Sequence, residues 1–410
     1  LINDLAPADR RDAVVDQFVE TLERRDYHLS TGFLGVDGLL PALTKAGRTD
    51  IAYRLLQNED YPSWGYEIGK GATTIWERWN SINPDGTFND VGMNSFNHYA
   101  YGAVGEWMYR TMAGVSEIEP GYRKVLVAPE PGEGIDHVTF GVETRYGTVR
   151  SAWKKVSGGL ELEVSVPENT TAEIRVPAPS RWAVTEGDGA AEAAEGVRFV
   201  AYEDGHAVYE VGSGDYRFGI DRALGELGEA AADVDVLAEQ VDALATKGLL
   251  TRLLKRHLQG EVATLDRQVE QARAARAAGD RDTAAARTHQ ALATVSALEL
   301  WVDLQRVLRL VDAPTAAALK ATLARVDGHL SAASGVIVGA VAKAQGTVHL
   351  AGDTVRVAVT LQNTGTKSLP NVSSTLRSAS GWAVKPVGGR PGSVGAGTTV
   401  THLYDVAVPD

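Results

Sequence analysis

Cysteine is absent from all 410 residues, which excludes disulfides, zinc–thiolate sites and cysteine nucleophiles. There is no run of about 18 consecutive apolar residues, so the sequence offers no candidate transmembrane helix, and membrane insertion is not expected. Positive charge is scarce: 40 Lys and Arg stand against 53 Asp and Glu, a formal net charge of −13. No basic excess is left to neutralise phosphates, so nucleic-acid and anionic-membrane partners are not expected. Phosphate loops, nucleophile elbows and metal-ligand clusters are missing as motifs, so no cofactor and no metal is expected. The opening LINDLAPADR has neither a charged leader nor an apolar core. It reads as the middle of a helix-rich domain, and a fragment of a longer protein is the expectation.

What is present is globular material. Hydrophobic residues make up 44% and charged residues 23% of the chain, which is incompatible with a disordered tail. The length suggests two to four domains.

Four segments follow one another. Over residues 1–113 the apolar spacing is helical. Val14, Val15, Phe18, Val19 and Leu22 share one face; Leu39, Leu40 and Leu43 mark a second helix; Ile51, Ala52, Leu55 and Leu56 mark a third. A fourth helix is predicted over Asn94–Met112, with Ala100, Gly102, Ala103 and Gly105 allowing close packing. Between the third and fourth lies a long stretch at 58–91, and a loop of that length inside a compact domain is usually functional. Over 114–220 the pattern turns to period two, in KVLVAPEP, VTFGVETRYGTVRSAWKKV, LELEVSVP, TAEIRVPAP and AVYEVGSGDYRFGI, which predicts an antiparallel β-sandwich. Residues 221–335 are rich in Ala, Leu, Arg and Glu at helical spacing. Breaks at Gly248, Gly279-Asp280 and Pro314 divide them into a small helical bundle. From 336 to 410 strands return as a second, smaller β-domain.

The chemistry is expected in the first segment. Residues 50–110 hold four of the eight tryptophans (Trp64, Trp76, Trp79, Trp107) and six of the thirteen tyrosines. Sugar rings present C–H faces that stack on indole and phenol rings, so such a cluster beside carboxylates suits a carbohydrate site. It also suits a well-packed aromatic core. Within it, Ile75-Trp76-Glu77-Arg78-Trp79 stands out. Two bulky aromatics strip water from a carboxylate, the neighbouring guanidinium favours its charged form, and an ionised, positioned carboxylate is what a general base needs. A structural Glu77–Arg78 pair is the plainer reading. His98, in NSFNHYAYGAVGEWMYR, is expected at the start of the fourth helix on a face with Ser95 and Gly102, either donating to a sugar hydroxyl or packed in the core. Glu106 reads as structural. Glu59, Asp60 and Glu67 are spare carboxylates that spacing does not rank.

Three ordered blocks, TGFLGVDGLLPAL at 31–43, YPSWGYEIGKGATTIWERWNS at 61–81 and NSFNHYAYGAVGEWMYR at 94–110, resemble the end of the catalytic domain of the bacterial α-L-rhamnosidases, glycoside hydrolase family 78. The following GYRK turn and KVLVAPEP resemble that family's C-terminal β-domain. The resemblance implies the C-terminal part of an (α/α)6 barrel over 1–113 followed by a β-sandwich; with the helical bundle and a last domain similar to immunoglobulin-like modules of secreted glycosidases, the expected architecture is one of mixed α and β domains. It implies inverting hydrolysis of terminal α-L-rhamnosides, with rhamnose-containing glycosides or polysaccharides as substrates. Glu77 then stands at the general-base position, His98 at a sugar contact, and Trp76 and Trp64 at aromatic positions near the pocket. The general acid and most sugar-binding carboxylates are expected upstream, in a missing N-terminal half of the same polypeptide, which would leave this chain inactive by itself. The helical segment and last β-domain are similar to modules of secreted bacterial enzymes, which points to an extracellular location. Two other readings compete: another (α/α)6 glycosidase, and a non-catalytic carbohydrate-binding or spacer protein.

Overall fold

In the computed structural model the described residues are 1–156, 159–244, 249–307 and 310–334, together with 341–344, 354–362, 369–370, 384–387, 393–394 and 399–407. The chain divides into two compact units, one of Leu1–Gly187 with Ala191–Ile220, the other of Asp188–Ala190 with Asp221–Asp410.

The first unit opens with four helices: α1 (Arg11–Glu23), α2 (Phe33–Lys45), α3 (Thr49–Gln57) and the short α4 (Trp64–Gly69). Their apolar faces meet in one cluster built on Val36, Leu39, Leu40, Leu43, Ile51, Tyr53, Leu55 and Trp107. Each aliphatic side chain so buried contributes about 1.5–3 kcal/mol. The helix α4 falls in the stretch read as loop; the Ser63 side chain caps it by accepting from the Tyr66 N–H.

The predicted helix over Asn94–Met112 is shorter than expected. Helical structure starts only at Ala100, as a 3-10 turn (Ala100–Ala103), then α5 (Val104–Trp107) and a π-turn (Met108–Met112). Residues 94–99 are drawn off by side chains that compete with helical hydrogen bonding. The Asn94 amide donates to the Ser81 carbonyl, and the Ser95 hydroxyl accepts from the Asn97 N–H. Ser95, His98 and Gly102 therefore share no helical face.

Residues 115–220 form two sheets. One runs in the order Val115–Glu117, Lys124–Val127, Thr171–Pro177, His206–Val211, Val197–Glu203; the other includes His137–Thr144, Gly147–Val156, Gly159–Val166, Gly214–Ile220 and Val184–Glu186. All pairings within them are antiparallel except Lys124–Val127 with Thr171–Pro177, which is parallel. Burial alternates along Gly159–Val166 and Thr171–Pro177, so every second side chain enters a core that includes Trp153, Leu162, Ile174, Tyr209 and Phe218. Val197–Glu203 and Val184–Glu186 are strands that the sequence reading missed.

The sandwich seals the end of the helical segment. The Trp153 indole donates to the Met112 carbonyl at 2.6 Å and the Ser151 hydroxyl to the Ala113 carbonyl at 2.7 Å, satisfying acceptors that the terminating π-turn leaves open. Gly114 makes the change of direction. Its φ is +76°, and a Cβ there would stand 2.2 Å from the Pro129 nitrogen. Gly114→Ala is therefore expected to cost about 2 kcal/mol or more. Urea unfolding followed by tryptophan fluorescence checks this, and an unchanged midpoint refutes it.

In the second unit α6 (Arg222–Asp242), α7 (Leu249–Ala277), α8 (Arg281–Val307) and α9 (Ala313–Ala333) surround one apolar cluster that includes Leu237, Leu265, Val269, Val295, Leu298, Leu323 and Val326. Gly279, at φ +78°, turns the chain between α7 and α8. Pro314 opens α9 from its first turn behind the Asp312 cap. Gly248 lies outside the described residues. So does most of SSTLRSASGWAVKP at 373–386, of which only the strand Val384–Val387 is described with its neighbour. Farther along, Val341–Ala344, Thr354–Gln362, Thr399–Ala407 and Val384–Val387 form an antiparallel sheet in that order.

Candidate active site

Two loops make the site, one carrying Glu77 and the other Ser95 and His98. They are laced by main-chain bonds: Glu77 N–H to the Ser95 carbonyl at 2.8 Å, and His98 N–H to the Ile75 carbonyl at 2.8 Å. The Glu77 carboxylate joins this lacing, since Oε2 accepts from the Ser95 N–H at 2.7 Å. Its backbone and side chain are thus both gripped by one residue of the facing loop. The side chain is half-buried, so the carboxylate is held yet reachable.

The plainer reading of the Glu77-Arg78 dipeptide finds no support. Among the described residues no ion pair joins the two; the Arg78 guanidinium turns instead to the Met93 carbonyl at 2.7 Å and pins the far end of the facing loop.

His98 is half-buried, with its ring stacked on Phe33 at 4.7 Å and near-parallel to Tyr99 at 5.4 Å. Its Nδ1 accepts from the Ala100 N–H at 3.4 Å, which in the neutral ring puts the proton on Nε2 as a donor.

Trp64, Trp79 and Tyr101 pack together as a buried aromatic group. Trp79 stacks on Tyr101 at 3.8 Å, and Trp64 meets Trp79 edge-on at 5.2 Å. Both indole N–H groups are satisfied, Trp64 by the Tyr101 carbonyl and Trp79 by that of Thr31. Trp64 and Trp76 are only 5% and 3% exposed, so the two aromatic positions singled out in the sequence sit within packed structure. The aromatic rings that do face solvent are others: Phe33, Phe88, Phe96 and Tyr99, the last 88% exposed. Phe33 and Tyr99 contact His98, and Phe96 bridges Trp76 and Phe88. Sequence reading had a signal for them, since Phe96 and Tyr99 flank Asn97-His98, but spacing alone does not separate an outward ring from a buried one.

The three spare carboxylates separate sharply. Glu59 and Asp60 are exposed, whereas Glu67 is 2% exposed, and its Oε1 has no hydrogen-bond partner among the described residues. Burial pushes the Glu67 carboxyl up to about 7, against the Trp76 backbone N–H, whose hydrogen bond lowers it. Glu106 forms an exposed pair with Arg110. No cluster of three or more His, Asp or Glu fit to hold a metal occurs among the described residues.

The chain's likeness to known proteins lies in the same region. Residues 1–112 match the bacterial α-L-rhamnosidase 6-hairpin glycosidase domain, and residues 114–191 match the bacterial α-L-rhamnosidase C-terminal domain. An α-L-rhamnosidase of Streptomyces avermitilis is 50% identical over 216 residues, which is 52% of this chain and 20% of that protein. One from Formosa agariphila is 46% identical over 174 residues, 42% of this chain and 19% of that one. The crystal structure of a Streptomyces avermitilis α-L-rhamnosidase complexed with L-rhamnose aligns with a TM-score of 0.50 at 49% identity, over 53% of this chain and 20% of its own. The chain thus spans about a fifth of the length of these curated relatives. Residues 1–112 and 114–191 thus resemble two consecutive domains of the bacterial α-L-rhamnosidases.

Proposed function

We propose that this chain supplies the general base, Glu77, for hydrolysis of terminal α-L-rhamnosides by an inverting two-carboxylate mechanism whose general acid it lacks. The observation that carries the reading is the grip on Glu77. Its Oε2 is engaged by the Ser95 N–H, so Oε1 is the oxygen that takes the proton of the attacking water. In an inverting enzyme the acid stands across the ring from the base, roughly 6.5–9.5 Å away, with the water between them. In this reading the acid comes from sequence outside these 410 residues, as does the rest of an (α/α)6 barrel whose C-terminal part is residues 1–113. Exposed apolar side chains on α2, such as Leu34, fit a surface that such helices would cover.

His98 donates through Nε2 to a sugar hydroxyl. Phe33 and Tyr99 hold its ring and offer aromatic faces to the sugar or its aglycone. Trp64 and Trp76, buried as they are, serve the pocket as ring support and reach a sugar by an edge at most. The same reading takes 114–220 as the β-sandwich, 221–335 as a helical module and 336–410 as an immunoglobulin-like domain of an extracellular enzyme acting on rhamnose-containing glycosides or polysaccharides.

The test is hydrolysis of aryl glycosides by the chain extended to the length of its relatives. Selective turnover of the α-L-rhamnoside is expected, and His98→Ala should raise KM by roughly tenfold through one lost hydrogen bond to the sugar. Turnover of other glycosides with the rhamnoside untouched transfers the site to a different glycosidase. Glycan binding that survives loss of residues 1–113, with no turnover, favours a binding module.

A further inference from the structure

The half-buried Arg78 spends its best-placed donor on main chain. Nε donates to the Met93 carbonyl at 2.7 Å. Met93 ends the 3-10 turn Val91–Met93, whose last carbonyl finds no donor inside so short a turn.

The ties between the two loops are unevenly spread. At one end they are main-chain bonds, Glu77 N–H to the Ser95 carbonyl and His98 N–H to the Ile75 carbonyl, both at 2.8 Å. At the other end the Asn89 N–H donates to the Ser81 carbonyl at 3.1 Å. Between them, among the described residues, no main-chain bond joins residues 90–94 to the facing segment. Side chains hold that stretch instead: Arg78 takes the Met93 carbonyl, and the Asn94 amide donates to the Ser81 carbonyl at 3.0 Å.

Both anchors are themselves fixed. Ser81 is fully buried; its N–H donates to the Arg78 carbonyl at 3.1 Å, and its hydroxyl accepts from the Arg78 N–H at 3.3 Å. The backbone of Arg78 is thus closed into a tight turn. Trp76 and Trp79, both buried, hold the chain on either side of Glu77-Arg78.

We infer that Arg78 is a positioning residue for the general base: by clamping the Met93 carbonyl it sets the peptide two residues on, whose Ser95 N–H grips Glu77 Oε2 at 2.7 Å. This rests on the proposed role of Glu77. The two adjacent side chains act as a pair, Arg78 aiming the donor and Glu77 receiving it. A guanidinium suits the task because its planar fork points each N–H in a fixed direction, whereas an ammonium is a rotating point charge. Without the clamp the Ser95 N–H drifts, the carboxylate turns with it, and a base displaced by about an ångström loses on the order of 10²-fold in rate.

Two variants test this. Arg78→Met keeps the aliphatic stem and removes the donor; Arg78→Lys keeps a positive donor without the fork. The first reading is NMR of the full 410-residue chain labelled with 15N-serine, with Ser95 identified by Ser95→Ala. In Arg78→Met the Ser95 amide should exchange with solvent at least about tenfold faster, while that of Ser151, in a strand paired on both sides, holds. The second reading is turnover of an aryl α-L-rhamnoside by the chain extended to the length of its relatives. There Arg78→Met should lower kcat by about 10–10²-fold with KM within about threefold. Arg78→Lys should fall between parent and Arg78→Met in both readings. Ser95 exchange as slow in Arg78→Met as in the parent overturns the inference, and so does a kcat within about twofold of the parent. If Arg78→Met does not fold, Arg78→Lys carries the test, and a Lys variant indistinguishable from the parent overturns it. Exchange is read without turnover, so a failure of the rhamnosidase reading would show as no hydrolysis by the parent with the Ser95 response intact.

Discussion

Glu77→Gln lowers kcat for an aryl α-L-rhamnoside by about 10²–10⁴-fold in the chain extended to the length of its relatives, with KM little changed. The substitution is nearly isosteric, and the amide oxygen can still accept the Ser95 N–H that holds the carboxylate now at 2.7 Å. The two loops stay laced, because the Glu77 N–H and the His98 N–H bonds are main-chain bonds that the variant does not touch. What is lost is the ability to accept a proton from water. A kcat within a few-fold of the parent enzyme would remove Glu77 from the chemistry. A large loss in unfolding midpoint would instead trace the effect to packing, so Glu77→Gln and the parent should first be compared by fluorescence-monitored unfolding.

The second large effect is on stability and runs through Glu67. Its carboxyl has an ordinary value of 4.5 and is held at about 7 by burial in the folded state. Between those two values the folded chain keeps the proton more tightly than the unfolded chain does. Stability is therefore greatest at and below the lower value, falls as pH rises through the window, and levels off above the upper one. The full excursion is up to roughly 3 kcal/mol. Glu67→Gln has no such slope, so the difference between variant and parent should move in favour of the variant by up to that amount between pH 5 and pH 8. Taking the change in the difference, and not the difference at one pH, cancels the cost of burying the new amide and the titration of Asp50, whose carboxyl Arg48 holds low. Urea unfolding at the two pH values measures it, and parallel curves for the two proteins would refute it.

Residue order carried the family resemblance, because TTIWERW at 73–79 and NSFNHY at 94–99 are local strings whose order and spacing survive without coordinates. It also carried the kind of element in most places. Alternating burial along Gly159–Val166 and the 3.6-residue spacing of Leu258, Val262, Leu265 and Val269 are printed in the chain, and the structure buries those faces. The prediction over Asn94–Met112 failed at its first six residues for a reason that is also local in kind but not in reach. Asn94 and Ser95 spend their polar groups on Ser81 and Glu77, partners 13 and 18 residues away, and a helix there would forfeit those bonds.

By itself, then, the sequence determined the absence of cysteine chemistry, the resemblance to the rhamnosidases and the alternation of helical and β segments, through residue type, the order of short motifs and short-range periodicity. Tertiary structure alone decided which side chains share a site. Glu59, Asp60 and Glu67 lie within nine positions of one another and are chemically alike, yet only Glu67 is buried. The aromatic residues divide the same way: Trp64 and Trp76 turn inward while Phe33 and Tyr99 face water beside His98. Burial is a property of what packs against a residue from distant parts of the chain, and desolvation, hydrogen-bond satisfaction and proton affinity all follow from it.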